Sequence, residues 1–163
     1  MRRIRLDDAA GWKGFNNAIA KRMLLDTPPQ RWSGVPSIVY ARNEIHHYDD
    51  DWQQGSRYVY SVVDRTTGKI IGDFHVEGID AVRHRAEYGH ALHPRVWGTG
   101  ITYETLDAVK RAARAKGILL WGKVEPENVR SWKSLEKYGA TFTGEQSFTI
   151  NKRRKKMRVY ELR

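Results

Sequence analysis

The order of segment types along this chain predicts an α/β protein in which helices flank a mixed, mostly antiparallel sheet. Three stretches carry that expectation. YVYSVVD (58–64) and KIIGDFHV (69–76) are β-branched or aromatic runs joined by the turn RTTGK, the signature of a hairpin. Ile101 to Lys116 places Leu106, Val109, Ala112 and Ala113 on one face and is stopped by Gly117, as a helix should be. ILLWGKV (118–124) reads as a buried strand between that helix and a shorter one, Asn128 to Tyr138, ended by Gly139.

The remaining elements follow in order. Arg3 to Leu6 is a short first strand, after which Asp7 or Asp8 caps a helix carrying Trp12, Phe15, Ile19 and Met23 at spacings near three and four. DTPPQRWSGVPS (26–37), with three prolines and a glycine, is loop. Ser37 to Gln53 reads as a second helix and AEYGHALH (86–93) as another strand. At the C-terminus TFTGEQSFTI, the basic turn NKRRKK and MRVYEL form a second hairpin. The expected order is β–α–α–β–β–β–α–β–α–β–β.

A chain of 163 residues, 40% of them hydrophobic, fits a single domain over 1–163. Its eighteen aromatic residues, six of them Trp, argue against disorder. The longest apolar runs, such as Ile118 to Trp121, are too short to span a bilayer. The start, MRRIRLDDAA, has no apolar run behind its basic residues, so no secretory signal is expected and the protein is read as cytoplasmic, monomeric or dimeric. The lack of cysteine excludes disulfides, thiolate metal sites and a Cys nucleophile together.

Net charge is +10, and its location says more than its size. Residues 1–5 hold three arginines, and residues 151–163 hold seven Lys or Arg against one acid. The body between carries 19 basic and 18 acidic side chains, so it is nearly neutral. The run Lys152, Arg153, Arg154, Lys155 and Lys156 then has two readings. It is a solvated turn at the hairpin tip, or it steers an anionic or RNA-associated partner.

The stretch His93-Pro94-Arg95-Val96-Trp97-Gly98-Thr99-Gly100-Ile101 links a strand to a helix. Two glycines remove Cβ atoms where backbone must approach a ligand, and the following helix offers free amides and a positive dipole end. That chemistry suits a phosphate or pyrophosphate. It also suits a plain tight turn. The segment lacks the GK[ST] of a Walker loop, and Tyr103 stands where a dinucleotide fingerprint needs its third glycine.

Arg95-x-x-Gly98-x-Gly100 resembles the R/Q-x-x-G-x-G/A motif of the GNAT acetyltransferases. AEYGHALHPRVWGTGITYETL (86–106) is similar to that family's strand-four, pyrophosphate-loop and helix-three segment. VEPENVRSWKSLEKYGA (124–140) is similar to its strand-five and helix-four segment. The flavour is nearest to the Rim-type ribosomal-protein N-terminal acetyltransferases. The resemblance is good over 57–163 and only general over 1–56, where the family sets acceptor specificity.

The resemblance implies a GNAT-like sheet with a splay between strands four and five, and acetyl-CoA as co-substrate. The pyrophosphate would sit on the loop Arg95, Val96, Trp97, Gly98, Thr99, Gly100 and Ile101. Pantetheine would run along Ala91 and Leu92, with Asn128 and Ser131 on its other side. A backbone amide near Leu92 would bind the oxyanion. Glu87 matches a base carboxylate on strand four, and partial burial would tune it towards neutral pH. By strand alternation Glu87, Gly89 and Ala91 share a face opposite Tyr88, His90 and Leu92. Where many members carry an acid Tyr on helix four this chain has Leu135, so Ser131, a water or another Tyr must protonate the thiolate. Tyr138 reads as packing.

Each of these residues also has a plainer reading: Asn128 as a helix cap, Ser131 as a polar first-turn residue, Glu87 as a solvated strand acid. His46, His47 and Asp49 to Asp51 show no fixed metal-ligand spacing, so no metal is expected. The expected activity is acetyl transfer from acetyl-CoA to a primary amine, a protein N-terminal α-amine or a small molecule, by direct attack in a ternary complex. The alternatives are a toxin-like or RNA-associated acetyltransferase acting on aminoacyl-tRNA, and a non-catalytic acyl-CoA-binding module.

Overall fold

The computed structural model describes residues 1–22, 37–150 and 152–163. Met23 of the expected first helix, and the expected loop at 26–36, lie outside these residues. The strands are β1 (Arg2–Arg3), β2 (Arg57–Val63), β3 (Ile70–Asp80), β4 (Arg85–Leu92), β5 (Leu119–Val124), β6 (Thr141–Ile150) and β7 (Arg153–Leu162). The helices are α1 (Ala9–Arg22), α2 (Ile38–Gln54), α3 (Ile101–Arg114) and α4 (Val129–Tyr138). Hydrogen bonding joins the strands in the order β1-β2-β3-β4-β5-β7-β6. β1–β2, β2–β3, β5–β7 and β6–β7 are antiparallel, whereas β4–β5 is parallel, as a helical crossover between them requires.

The chain forms two compact units, one of Met1–Glu77 with His90–Thr105, the other of Gly78–Gly89 with Leu106–Arg163. In the first, α1 and α2 bury Trp12, Phe15, Ile19, Ala41 and Ile45 against Ile4 and Val59. Ser37 caps α2 by accepting the Tyr40 amide at 3.0 Å. Asp8 does not cap α1. It follows a strand shorter than expected, lies in a 3-10 turn, and takes an ion pair from Arg2 at 2.5 Å and a hydrogen bond from Ser61 at 3.1 Å. Burial pushes the Asp8 carboxyl up, but Arg2, the Arg5 amide and Ser61 outweigh it and hold it below its ordinary value.

In the second unit the α3–α4 side of the sheet buries Tyr88, Leu120, Leu135 and Tyr160. β7 starts four residues earlier than the sequence suggests, so Arg153 to Lys156 lie within a strand and not in a turn. Their register with β6 explains this. Lys156 faces Ser147 and Lys155 faces Phe148, and both lysines find carboxylates: Lys155 pairs with Glu125 and Lys156 with Glu145, each at 2.5 Å.

β4 is held by close approaches at two glycines. A Cβ added to Gly72 would lie 2.5 Å from Leu92 Cδ2 and 2.6 Å from the Ala91 carbonyl oxygen. One added to Gly122 would lie 2.9 Å from Tyr88 Cε1. Neither position has room for a side chain. Gly122→Val should therefore destabilise the protein by at least about 1–3 kcal/mol in urea unfolding. A variant as stable as the parent would show that β5 does not depend on the fit against Tyr88.

Candidate active site

The segment after β4 is anchored by its apolar residues. Val96, Trp97 and Ile101 pack on the buried cluster Val62, Ile71 and Leu92. Trp97 Nε1 also donates to the Leu92 carbonyl at 2.7 Å, and the His93 amide donates to Ile71 O at 2.7 Å. With both sides pinned, Gly98, Thr99 and Gly100 are left exposed between them. Gly98 and Gly100 have φ of 78° and 87°, left-handed backbone that favours glycine.

Within this loop the amides of Trp97, Thr99, Tyr103 and Glu104 bond to its own carbonyls. Among the described residues, those of Gly98, Gly100, Ile101 and Thr102 have no acceptor in the protein. Four donors gathered at the positive end of α3 fit a pyrophosphate. Arg95 is exposed beside them and adds positive charge.

The structure also shows what the loop leaves over. Leu92 is 5% exposed and its carbonyl is taken by Trp97, so its contribution to a ligand would come from its amide. The His93 amide is already used by Ile71 and is not free for an oxyanion. Ala91 packs against the α1–α2 cluster while Leu92 packs with the loop anchors, as strand alternation requires.

In the second unit β4 and β5 pair in parallel from Arg85–Leu119 to Glu87–Trp121. Glu87 is half-buried and paired, not a solvated strand acid: Lys123 Nζ forms an ion pair with its Oε1. Asn128 caps α4, its Oδ1 accepting the Ser131 amide at 3.3 Å. Ser131 stands half-buried in the first turn of α4. Tyr138 is more than packing: its hydroxyl donates to Asp107 at 2.6 Å. Burial, then Asp107, push it up to about 12, which makes it a poor proton donor to a thiolate.

Asp73 was not singled out in the sequence, where it is one acid in an apolar strand. It is half-buried on β3 opposite Ser61. Burial raises it to about 6, partly offset by Trp12, Arg57 and the Ala91 amide. Its neighbour in sequence, Phe74, stacks on His90 at 6.0 Å, and burial lowers His90 to about 4. His90 is thus neutral at physiological pH.

The basic ends are largely engaged. Arg2 and Arg3 pair with Asp8 and Asp49, and Lys155, Lys156, Arg158 and Arg163 each pair with a glutamate. Trp12 is core and Trp52 packs on Tyr58 and Tyr60, so neither is a stacking platform; Trp32 lies outside the described residues. Among the described residues no group of His, Asp and Glu could hold a metal ion, and no helix is long and apolar enough to cross a membrane.

The sequence profile of the acetyltransferase (GNAT) domain matches residues 1–141. The chain belongs to the GNAT acetyltransferase family, whose co-substrate is acetyl-CoA. No curated protein sequence matches it. Among solved structures it is similar to a ribosomal-protein-alanine acetyltransferase of Vibrio fischeri, with a TM-score of 0.81, 19% identity, and coverage of 99% of this chain and 90% of that one. The microcin self-immunity acetyltransferase MccE, solved with acetyl-CoA and AMP, gives 0.80 at 18% identity, covering 97% and 88%. A spermidine N-acetyltransferase chimera of Vibrio cholerae SpeG and hSSAT gives 0.74 at 16% identity, covering 99% and 93%. These likenesses bear out the GNAT fold.

Two measurements test this site. CoA should raise the melting temperature of the parent, and Gly98→Glu should abolish the shift by crowding the amides and opposing the pyrophosphate charge. An equal shift in both proteins would place the cofactor elsewhere. Asp73 tests the electrostatics. Its folded pKa lies above the ordinary 3.8, so it favours the fold while protonated, and that contribution is lost as pH rises through about 6. Asp73→Asn should be more stable than the parent at pH 7.5 by on the order of 1–3 kcal/mol, with the gap closing by about pH 4. A pH-independent difference would remove the buried carboxylate from the account.

Proposed function

We propose that this chain transfers the acetyl group of acetyl-CoA to a primary amine, either a protein N-terminal α-amine or a small-molecule amine, by direct attack in a ternary complex. The observation that carries this reading is the set of four open amides at the start of α3, in a chain of the GNAT family. Acetyl-CoA supplies a thioester carbonyl as the electrophile. Gly98, Gly100, Ile101 and Thr102 would hold its pyrophosphate, with Arg95 screening the charge, and Ala91 and Leu92 would line pantetheine. Val96, Trp97 and Thr99 would keep the loop in shape, since Thr99 Oγ1 donates to Val96 O at 2.7 Å.

Glu87 would take the proton that the attacking amine loses, directly or through water. Ser131 would return a proton to the departing thiolate, with Asn128 ordering the turn that carries it. The Tyr138 hydroxyl is already engaged with Asp107. The acceptor stays between the two amine classes because the similar structures are named for acceptors of both kinds. The aminoacyl-tRNA alternative loses support, since its only argument was the basic ends and most of those cations already have carboxylate partners.

The test is a thiol-release assay with acetyl-CoA against N-terminal peptides and small amines. With the amine that gives the highest rate, Glu87→Gln should lower kcat by about one to four decades. Its CoA-induced thermal shift should remain. Parental kcat in Glu87→Gln would remove Glu87 from the mechanism, and no release with any amine would leave a binding module.

A further inference from the structure

The ion pair at Glu87 is more elaborate than a surface salt bridge. Glu87 is the last β4 residue in register with β5, where it faces Trp121. Lys123 follows two residues later on the same face of β5 and reaches back to Glu87 Oε1 past the end of the ladder. The side chains are 24% and 17% exposed, so both charges are partly desolvated. Burying two charges carries a desolvation cost that the pairing alone often fails to recover.

Further contacts hold the lysine. Its ammonium lies 5.7 Å from the Trp121 ring centroid and 5.2 Å from that of Phe148 on β6. The two rings stack on each other at 6.1 Å with an interplanar angle of 18°. The Arg85 guanidinium also lies over Trp121, 5.0 Å from its centroid. Cation–π attraction therefore favours one location for Nζ, and that location is against Glu87. The next acid along the chain, Glu125 just after β5, is committed to Lys155 at 2.5 Å.

We propose that Lys123, seated on the Trp121–Phe148 pair, is a positioning residue that fixes the Glu87 carboxylate for proton transfer from the acceptor amine. The inference rests on the reading of Glu87 as the base. In that step one proton moves from the amine nitrogen to a Glu87 oxygen while the N–C bond forms and the C–S bond breaks. Lys123 keeps its protons throughout. What it supplies is a fixed carboxylate orientation, and after transfer its charge still has the two rings.

A strut that only tied β4 to β5 would affect stability and leave the chemistry alone, so the test reads kcat in a double-mutant cycle. The probe is the panel amine with the highest rate in the thiol-release assay. Lys123→Met should lower kcat by about tenfold to a hundredfold, the scale of a misplaced catalytic group. Its CoA-induced thermal shift should persist, and Lys123→Arg should restore kcat to within about threefold of the parent. In a Glu87→Gln background the same Lys123→Met change should alter kcat less than about twofold, since there is no carboxylate left to position. Parental kcat in Lys123→Met, or an equal loss in both backgrounds, would overturn the proposal. Failure of the underlying reading looks different: Glu87→Gln would itself keep parental kcat, or no amine would be acetylated.

Discussion

The path of β4 is the constraint on which the rest of the site depends. Near one end its Tyr88 ring lies against Gly122, and near the other its Leu92 lies against Gly72. Both contacts exist because a glycine leaves room for a large neighbour, so β4 cannot slide by one residue without a clash. A slip of that size would exchange its faces, moving Glu87 and Ala91 to where Tyr88 and Leu92 now pack. Side-chain packing at four positions thus decides which way a polar group points at a fifth.

The loop after β4 inherits that rigidity. Leu92 is at once a core residue and the acceptor for the Trp97 indole, so the strand end and the loop are clamped together. Apolar residues bracket the two glycines and keep open amides from collapsing onto one another. Order in the backbone is what makes a polar cradle effective, because donors already in place need no rearrangement when an anion arrives. Electrostatics elsewhere follows the same economy: Asp8 and most terminal cations have partners, and Asp73 is the one described carboxylate raised by burial.

Much of this was legible in the sequence, and the exceptions are instructive. The hairpin at 57–80 and helices α3 and α4 announce themselves through β-branched runs, apolar periodicity and stop glycines. The glycine loop is legible because few local structures need that spacing. The basic segment was misread as a turn because consecutive cations look solvated. It is a strand because Glu125 and Glu145, distant in sequence, neutralise two of them. Lys123 gave no signal for the same reason: its partnership with Glu87 depends on the register of two parallel strands. Asp73 hid as a lone acid in an apolar run, and only the packing of α1 and β2 around it reveals a perturbed carboxyl.

The central claim is that the open amides at the start of α3 receive the pyrophosphate of the co-substrate. The most direct measurement is a titration of ¹⁵N-labelled protein with CoA, followed by amide proton and nitrogen shifts. The amides of Gly98, Gly100, Ile101 and Thr102 should move downfield together as they gain charged acceptors, with one shared saturation curve. Saturation of CoA binding with these four resonances unmoved would contradict the account.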